Sequence, residues 1–272
     1  MNHHVDSSWG KLGLAVWAGL SAFTLLMGIP AHAAKTADIK RAGMVNVCVW
    51  PDYHSISHRD RRTQIWSGID VDMARELALA LDVKLNLVDS SFASFIDDLL
   101  ADKCDVAMFG IGVTPQRAEK VRFTKPYLQT DFVGIAPKTN TRIASWADID
   151  KPGSVVAVAK GTVHDQVVRD RFKHATVVVV EGHNSRENAV QSGRADAFLT
   201  DFPYSRRLLE QTDWARGILP PTPFHLTPYA WAVKPGDDDW LLKLDGFLLT
   251  VKQNGRLRDA ARRHGLDPIL VP

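Results

Sequence analysis

Residues 45–110 contain VNVCVW (Val45–Trp50), DVDMARELALAL (Asp70–Leu81), KLNLV (Lys84–Val88), FASFIDDLLA (Phe92–Ala101) and DVAMFG (Asp105–Gly110). Short β-prone runs alternate here with segments whose apolar residues recur every three or four positions. Val71, Ala74, Leu77, Ala78 and Leu81 fall on one helical face, and Asp70 stands where a first turn's free amides favour a carboxylate. The order strand–helix–strand–helix–strand predicts a parallel sheet covered by helices.

The pattern then repeats. VVAVA from Val155, a helix around His164–Phe172, TVVVV, a helix over Ser185–Ser192 and DAFLT form a second series. Phe132–Pro137 (FVGIAP) joins the two, and Tyr229–Val233 (YAWAV) leads back into helices at Asp238–Gln253 and Gly255–His264. The fold class expected is α/β, with two lobes: residues 34–134 with 230–272, and residues 135–229. Two chain crossings connect them. Open α/β sheets bind ligands beyond the carboxyl ends of their strands, so the cleft between lobes is the expected site.

Composition narrows the function. Of 272 residues, 45% are apolar and 24% charged, which excludes disorder and fibrous repeats. A net charge of +2 is too even for a protein that coats nucleic acid, so no nucleic-acid partner is expected. Two cysteines exclude a Cys-rich zinc module, and the histidines lack metal-ligand spacing; no metal or cofactor is expected. Residues 1–33 read as a cleavable export signal: Lys11, an apolar run over Leu12–Ile29, then Pro30 and the site Ala31-His32-Ala33. Export would let Cys48 and Cys104 oxidise, but Cys48 sits inside a strand, so bridge and free thiols both stay open. The basic run Arg256–Arg263 reads as the solvated face of a helix.

There is no G-x-S-x-G elbow, P-loop or H-E-x-x-H helix, and Pro115 stands where a dinucleotide loop needs its third glycine. The informative stretch is Asp105–Tyr127, DVAMFGIGVTPQRAEKVRFTKPY. Its glycines Gly110 and Gly112 expose backbone, Thr114 offers a hydroxyl, and Arg117 offers a planar fork suited to a carboxylate.

With VNVCVWPDY, GIDVDMARELALAL, KGT (Lys160–Thr162), GRADAFLTD (Gly193–Asp201) and YAWAVKPGD, that block resembles bacterial family 3 solute-binding proteins, in order and over nearly the whole exported chain. The resemblance implies a periplasmic binding protein-like type II fold, two α/β lobes joined by two hinge strands and closing on a ligand. It implies a periplasmic receptor that takes up a small carboxylate-bearing solute, of the amino-acid class, and hands it to an inner-membrane ABC permease. Carried over by position, Arg117 and Thr114 would hold the solute's carboxylate and Thr162 would add a contact at a helix start. Asp201 would accept the ammonium, and Tyr53 and Phe92 would sandwich the side chain.

Three positions depart from the pattern. Gly112 stands where Ser or Thr is usual, Val163 replaces a small or hydroxylated residue, and Trp50 replaces a small or acidic one. They predict a more apolar or reshaped pocket, in which Gly112→Ser would restore a hydroxyl to the ligand. VCV-x-x-DY and GIDVDMA look closest to an enzymatic branch, cyclohexadienyl dehydratase, which removes water and carbon dioxide from prephenate or arogenate. That branch has a Glu three residues after the aspartate matching Asp201. Here Tyr204 stands there, a far weaker acid. Binding without catalysis is therefore the reading preferred from sequence.

Overall fold

The computed structural model describes residues 34–272 and, ahead of them, Met1 alone. The export signal read over 1–33 lies outside the described residues. Two helix-covered sheets organise the chain. In the first, Lys84–Asp89, Met44–Val49 and Val106–Gly112 run parallel in that order, followed by antiparallel Thr227–Val233 and the short Arg122–Phe123. Leu128–Thr130 also pairs with Thr227–Val233. The second sheet has the same plan: Thr176–Val180, Val155–Ala159 and Ala197–Asp201 are parallel, then Phe132–Pro137 is antiparallel and Ala215–Ile218 closes the edge.

Central strands carry continuous apolar sequence because both faces are covered. Every residue of Val106–Gly112 and of Ala197–Asp201 is buried. The helix Ile69–Leu81 lays Met73, Ala74, Leu77, Ala78 and Leu81 onto the first core. Arg256–Arg263 buries only Leu257, Ala260 and Ala261, and its cations meet acids of Ile69–Leu81, through Arg256 with Glu76 and Arg263 with Asp72 at 2.8 Å. The basic run is thus a helix's outer face.

The strand expected to join the lobes, Phe132–Pro137, lies wholly in the second sheet. The chain passes from the first sheet to the second between Thr130 and Phe132 and returns between Ile218 and Thr227. Asp131 stands at the first crossing and accepts hydrogen bonds from Phe132 N, Phe224 N and His225 N, each at 2.7 Å, so one carboxylate ties both crossings together.

Cys48 and Cys104 form a disulfide, with Cα atoms 5.6 Å apart. A small sheet of Asp52–Tyr53, Ser57–Arg59 and Trp66–Ser67 follows the first strand and carries Tyr53 to the cleft.

Candidate functional site

The parallel strands of both sheets end at one small, nearly closed cavity whose free space, about 20 Å³, is room for about one water molecule. Its first-lobe wall is aromatic. Trp50 follows Met44–Val49, Phe92 precedes a short helix, and the rings of Trp50, Tyr53 and Phe92 meet with centroids 5.2–5.8 Å apart. Trp50, whose direction the sequence leaves open, lines the cavity. Gly110 adds backbone at φ +62°, its N–H held by Asp70 at 2.8 Å. A Cβ at Gly110 would lie 3.0 Å from the Tyr53 ring.

The second-lobe wall comes from Thr162, Val163, His164, Arg186, Thr200, Asp201 and Tyr204. Thr162 caps the helix Val163–Arg171, accepting from Asp165 N at 3.3 Å, so that helix's free amides face the cavity end. Asp201, buried at the end of its strand, caps Phe202–Gln211 through Oδ1, which accepts from Tyr204 N at 3.1 Å. Its Oδ2 accepts the Tyr229 hydroxyl at 2.5 Å and the Tyr53 hydroxyl as well. Both phenols are pushed well above their ordinary pKa by burial and then by the Asp201 charge, so they remain donors.

Arg117 is placed differently. It is buried immediately behind the lining, donating from Nη1 to Gly112 O at 2.7 Å and from Nη2 to Gly161 O at 2.8 Å. The guanidinium stacks 5.4–5.8 Å from the Phe95 and Phe92 ring centres, and burial lowers its pKa to about 10. No carboxylate among the described residues lies within ion-pair distance of it. Thr114 also stands outside the lining: its hydroxyl oxygen caps the turn Pro115–Ala118 and accepts from Arg117 N at 3.3 Å.

Gly112 lines the cavity, but a Cβ there would fall 2.6 Å from Val163 Cγ2 and 2.8 Å from Thr227 Cγ2. The hydroxyl expected from Gly112→Ser therefore has no room. Gly112 and Val163 compensate each other across the cleft, a valine methyl occupying the space a side chain at 112 would take.

The lobes meet closely elsewhere. Besides Arg117 with Gly161 and Tyr53 with Asp201, the His183 ring binds Asp52 at 2.8 Å. Gly161, at φ +73°, brings its backbone so near that a Cβ would sit 2.8 Å from the Ala93 backbone.

Of the residues expected from sequence, Tyr53, Phe92, Gly110, Gly112, Thr162 and Asp201 are gathered on the cavity, and Arg117 and Thr114 back it. His164, Arg186, Thr200, Tyr204 and Tyr229 were not expected there as lining. Spacing offers a signal for His164, two residues beyond Thr162. Tyr229, opposite Gly112 in the sheet register, needs the pairing first. Arg186 lies in no motif.

The sequence model of "Bacterial extracellular solute-binding proteins, family 3" matches residues 45–267. The chain belongs to that family. A cyclohexadienyl dehydratase of Pseudomonas aeruginosa is 28% identical over 234 residues, 85% of each chain. The ABC transporter arginine-binding protein 1 of Escherichia coli is 26% identical over 191 residues, 69% of this chain and 77% of the relative. Among solved structures, the ancestral amino acid-binding protein AncCDT-1, described as a precursor of cyclohexadienyl dehydratase, superimposes with a TM-score of 0.78 at 28% identity, over 85% of this chain and 99% of that one. A putative ABC-transporter binding component from Wolinella succinogenes, complexed with lysine, gives 0.74 at 28%, over 81% and 95%. These neighbours have the two-lobed type II architecture of periplasmic binding proteins, and this chain shares it.

Proposed function

We propose that this protein is the periplasmic receptor of an ABC transporter, capturing a small carboxylate-bearing solute of the amino-acid class between its lobes for delivery to an inner-membrane permease. The observation that carries this reading is a pair of buried opposite charges at one cleft. Arg117 comes from the first lobe and Asp201 from the second, and among the described residues no ion pair joins either. Arg117 now spends its fork on two carbonyls and Asp201 its Oδ2 on two phenols, weaker partners that a solute's carboxylate and ammonium would replace. The arginine- and lysine-binding relatives support the solute class, and the disulfide accords with an oxidising compartment.

A solute that touches both lobes only when they meet would shift the population toward the closed form. Arg117→Ala is expected to fold and to cost about 2–5 kcal/mol of solute affinity, measured by calorimetry on residues 34–272. Undiminished binding would remove Arg117 from the site.

The similarity to cyclohexadienyl dehydratase, over 85% of both chains, favours one second reading, an enzyme of that type. Against it stands Tyr204, whose phenol donates to Glu187 at 2.7 Å and whose pKa burial pushes further up. A proton for a leaving hydroxyl would then have to come from a poor acid. Aromatic product from prephenate or arogenate, abolished by Arg117→Ala, would decide for the enzyme.

A further inference from the structure

Arg186 is buried at 5% exposure on the cavity wall, and no carboxylate among the described residues lies within ion-pair distance of it. Its guanidinium lies 4.1 Å from the centre of the Tyr204 ring and 5.2 Å from that of Phe198. Its hydrogen bonds run from Nη1 alone, to Thr200 Oγ1 at 3.1 Å and Leu199 O at 3.4 Å. Glu187, the next residue, directs an oxygen to the Tyr204 hydroxyl instead. His164, 7% exposed, lines the same cavity, and neither of its ring nitrogens makes a well-formed hydrogen bond, the Thr200 backbone being its one near polar partner.

The wall thus holds a surplus of donors. Burial opposes the charge of Arg186, but the nearby Tyr204, Glu187 and Asp201 hold its pKa up, although neither carboxylate bonds to it. An imidazole out of water without a well-formed bond costs folding free energy. The Asp201 charge acts on both groups but bonds to neither, since both of its oxygens already accept from the chain. What such a wall fits is an acceptor-rich anion. A cationic side chain there would face Arg186 without compensation.

We infer that the captured solute carries a second acidic group, besides the carboxylate assigned to Arg117, and seats it between Arg186 and His164. The inference rests on the receptor reading and names its solute class: compounds with two acidic groups. Acidic amino acids and amine-free dicarboxylates share this chemistry. Asp201 tells them apart, because only the former bring an ammonium to it.

The test is a thermal-shift and calorimetry panel on residues 34–272, with glutamate, aspartate, succinate and 2-oxoglutarate against glutamine, asparagine, arginine and lysine. A diacid should bind, and its monoamide should bind about tenfold or more weakly. Arg186→Gln should erase that preference and weaken the diacid by about 30-fold, with Arg186→Lys retaining part of it. Far-UV circular dichroism checks folding, and His164→Leu, expected to narrow the same preference, carries the test if Arg186→Gln does not fold. Asp201→Asn should weaken an amine-bearing diacid and spare an amine-free one.

The inference is overturned if no diacid binds, or if Arg186→Gln leaves diacid affinity within about threefold. In either case, loss of whatever solute does bind on Arg117→Ala keeps the receptor reading intact. Diacid binding that survives Arg117→Ala but not Arg186→Gln would overturn both the two-acid requirement and the Arg117 assignment.

Discussion

Burial lowers the pKa of His164 from 6.5 to about 4, with Asp201 opposing the shift and Arg186 and Arg117 adding to it. The unfolded chain therefore binds a proton between pH 6.5 and 4 that the folded chain refuses. Stability from this group is complete above pH 6.5 and is lost as pH falls through 4, by about 3 kcal/mol at 1.36 kcal/mol per unit. His164→Leu should flatten the pH dependence of the denaturation midpoint over that window, and an unchanged slope would mean that the imidazole titrates freely in the fold. At this scale the sequence was partly legible. Arg117 and Asp201 stand out through the motifs that hold them, a glycine-rich strand followed by a Thr-Pro turn and a strand ending in a carboxylate. Gly112 and Val163 read as two separate departures, since only the closed cleft shows one filling the other's space. Arg186 was illegible because nothing local distinguishes a buried arginine from an exposed one on a helix.

Among elements, the closest approach is the turn at Gly161, which leads into the cap of Val163–Arg171. Alanine at 161 would carry left-handed strain of about 1 kcal/mol wherever the lobes stand. It would also collide with the Ala93 backbone only where the lobes meet. Gly161→Ala should therefore lower solute affinity by about tenfold or more while unfolding stays cooperative, as compared by calorimetry and melting curves. Unchanged affinity would show that the bound form keeps these turns apart. The alternating strands and helices were legible because covered parallel strands and amphipathic helices both leave periodic apolar patterns. The sheet of Asp52–Tyr53, Ser57–Arg59 and Trp66–Ser67 was not, because strands of two or three residues are too short to show a period. Phe132–Pro137 reads from sequence as the joint between the two series, because its membership in the second sheet depends on antiparallel pairing with Ala197–Asp201.

For the whole molecule, the Cys48–Cys104 bridge closes a loop of sequence separation 56 around the first lobe's helix and strands. Chain-entropy reasoning assigns such a loop about 4 kcal/mol. Reductant, or Cys48→Ser with Cys104→Ser, should lower the denaturation midpoint accordingly, and an unmoved midpoint would mean that the bridge adds nothing in solution. Sequence could place both cysteines but not pair them, because their proximity is a property of the sheet register.

The same register brings the two crossings side by side, with Thr227–Val233 paired to Leu128–Thr130 and the Asp131 carboxylate binding amides of both. Two straps fastened to one pin would serve as an axle for lobes that part, and in such a motion the gap at the mouth and the distance between the far tips of the lobes become one variable.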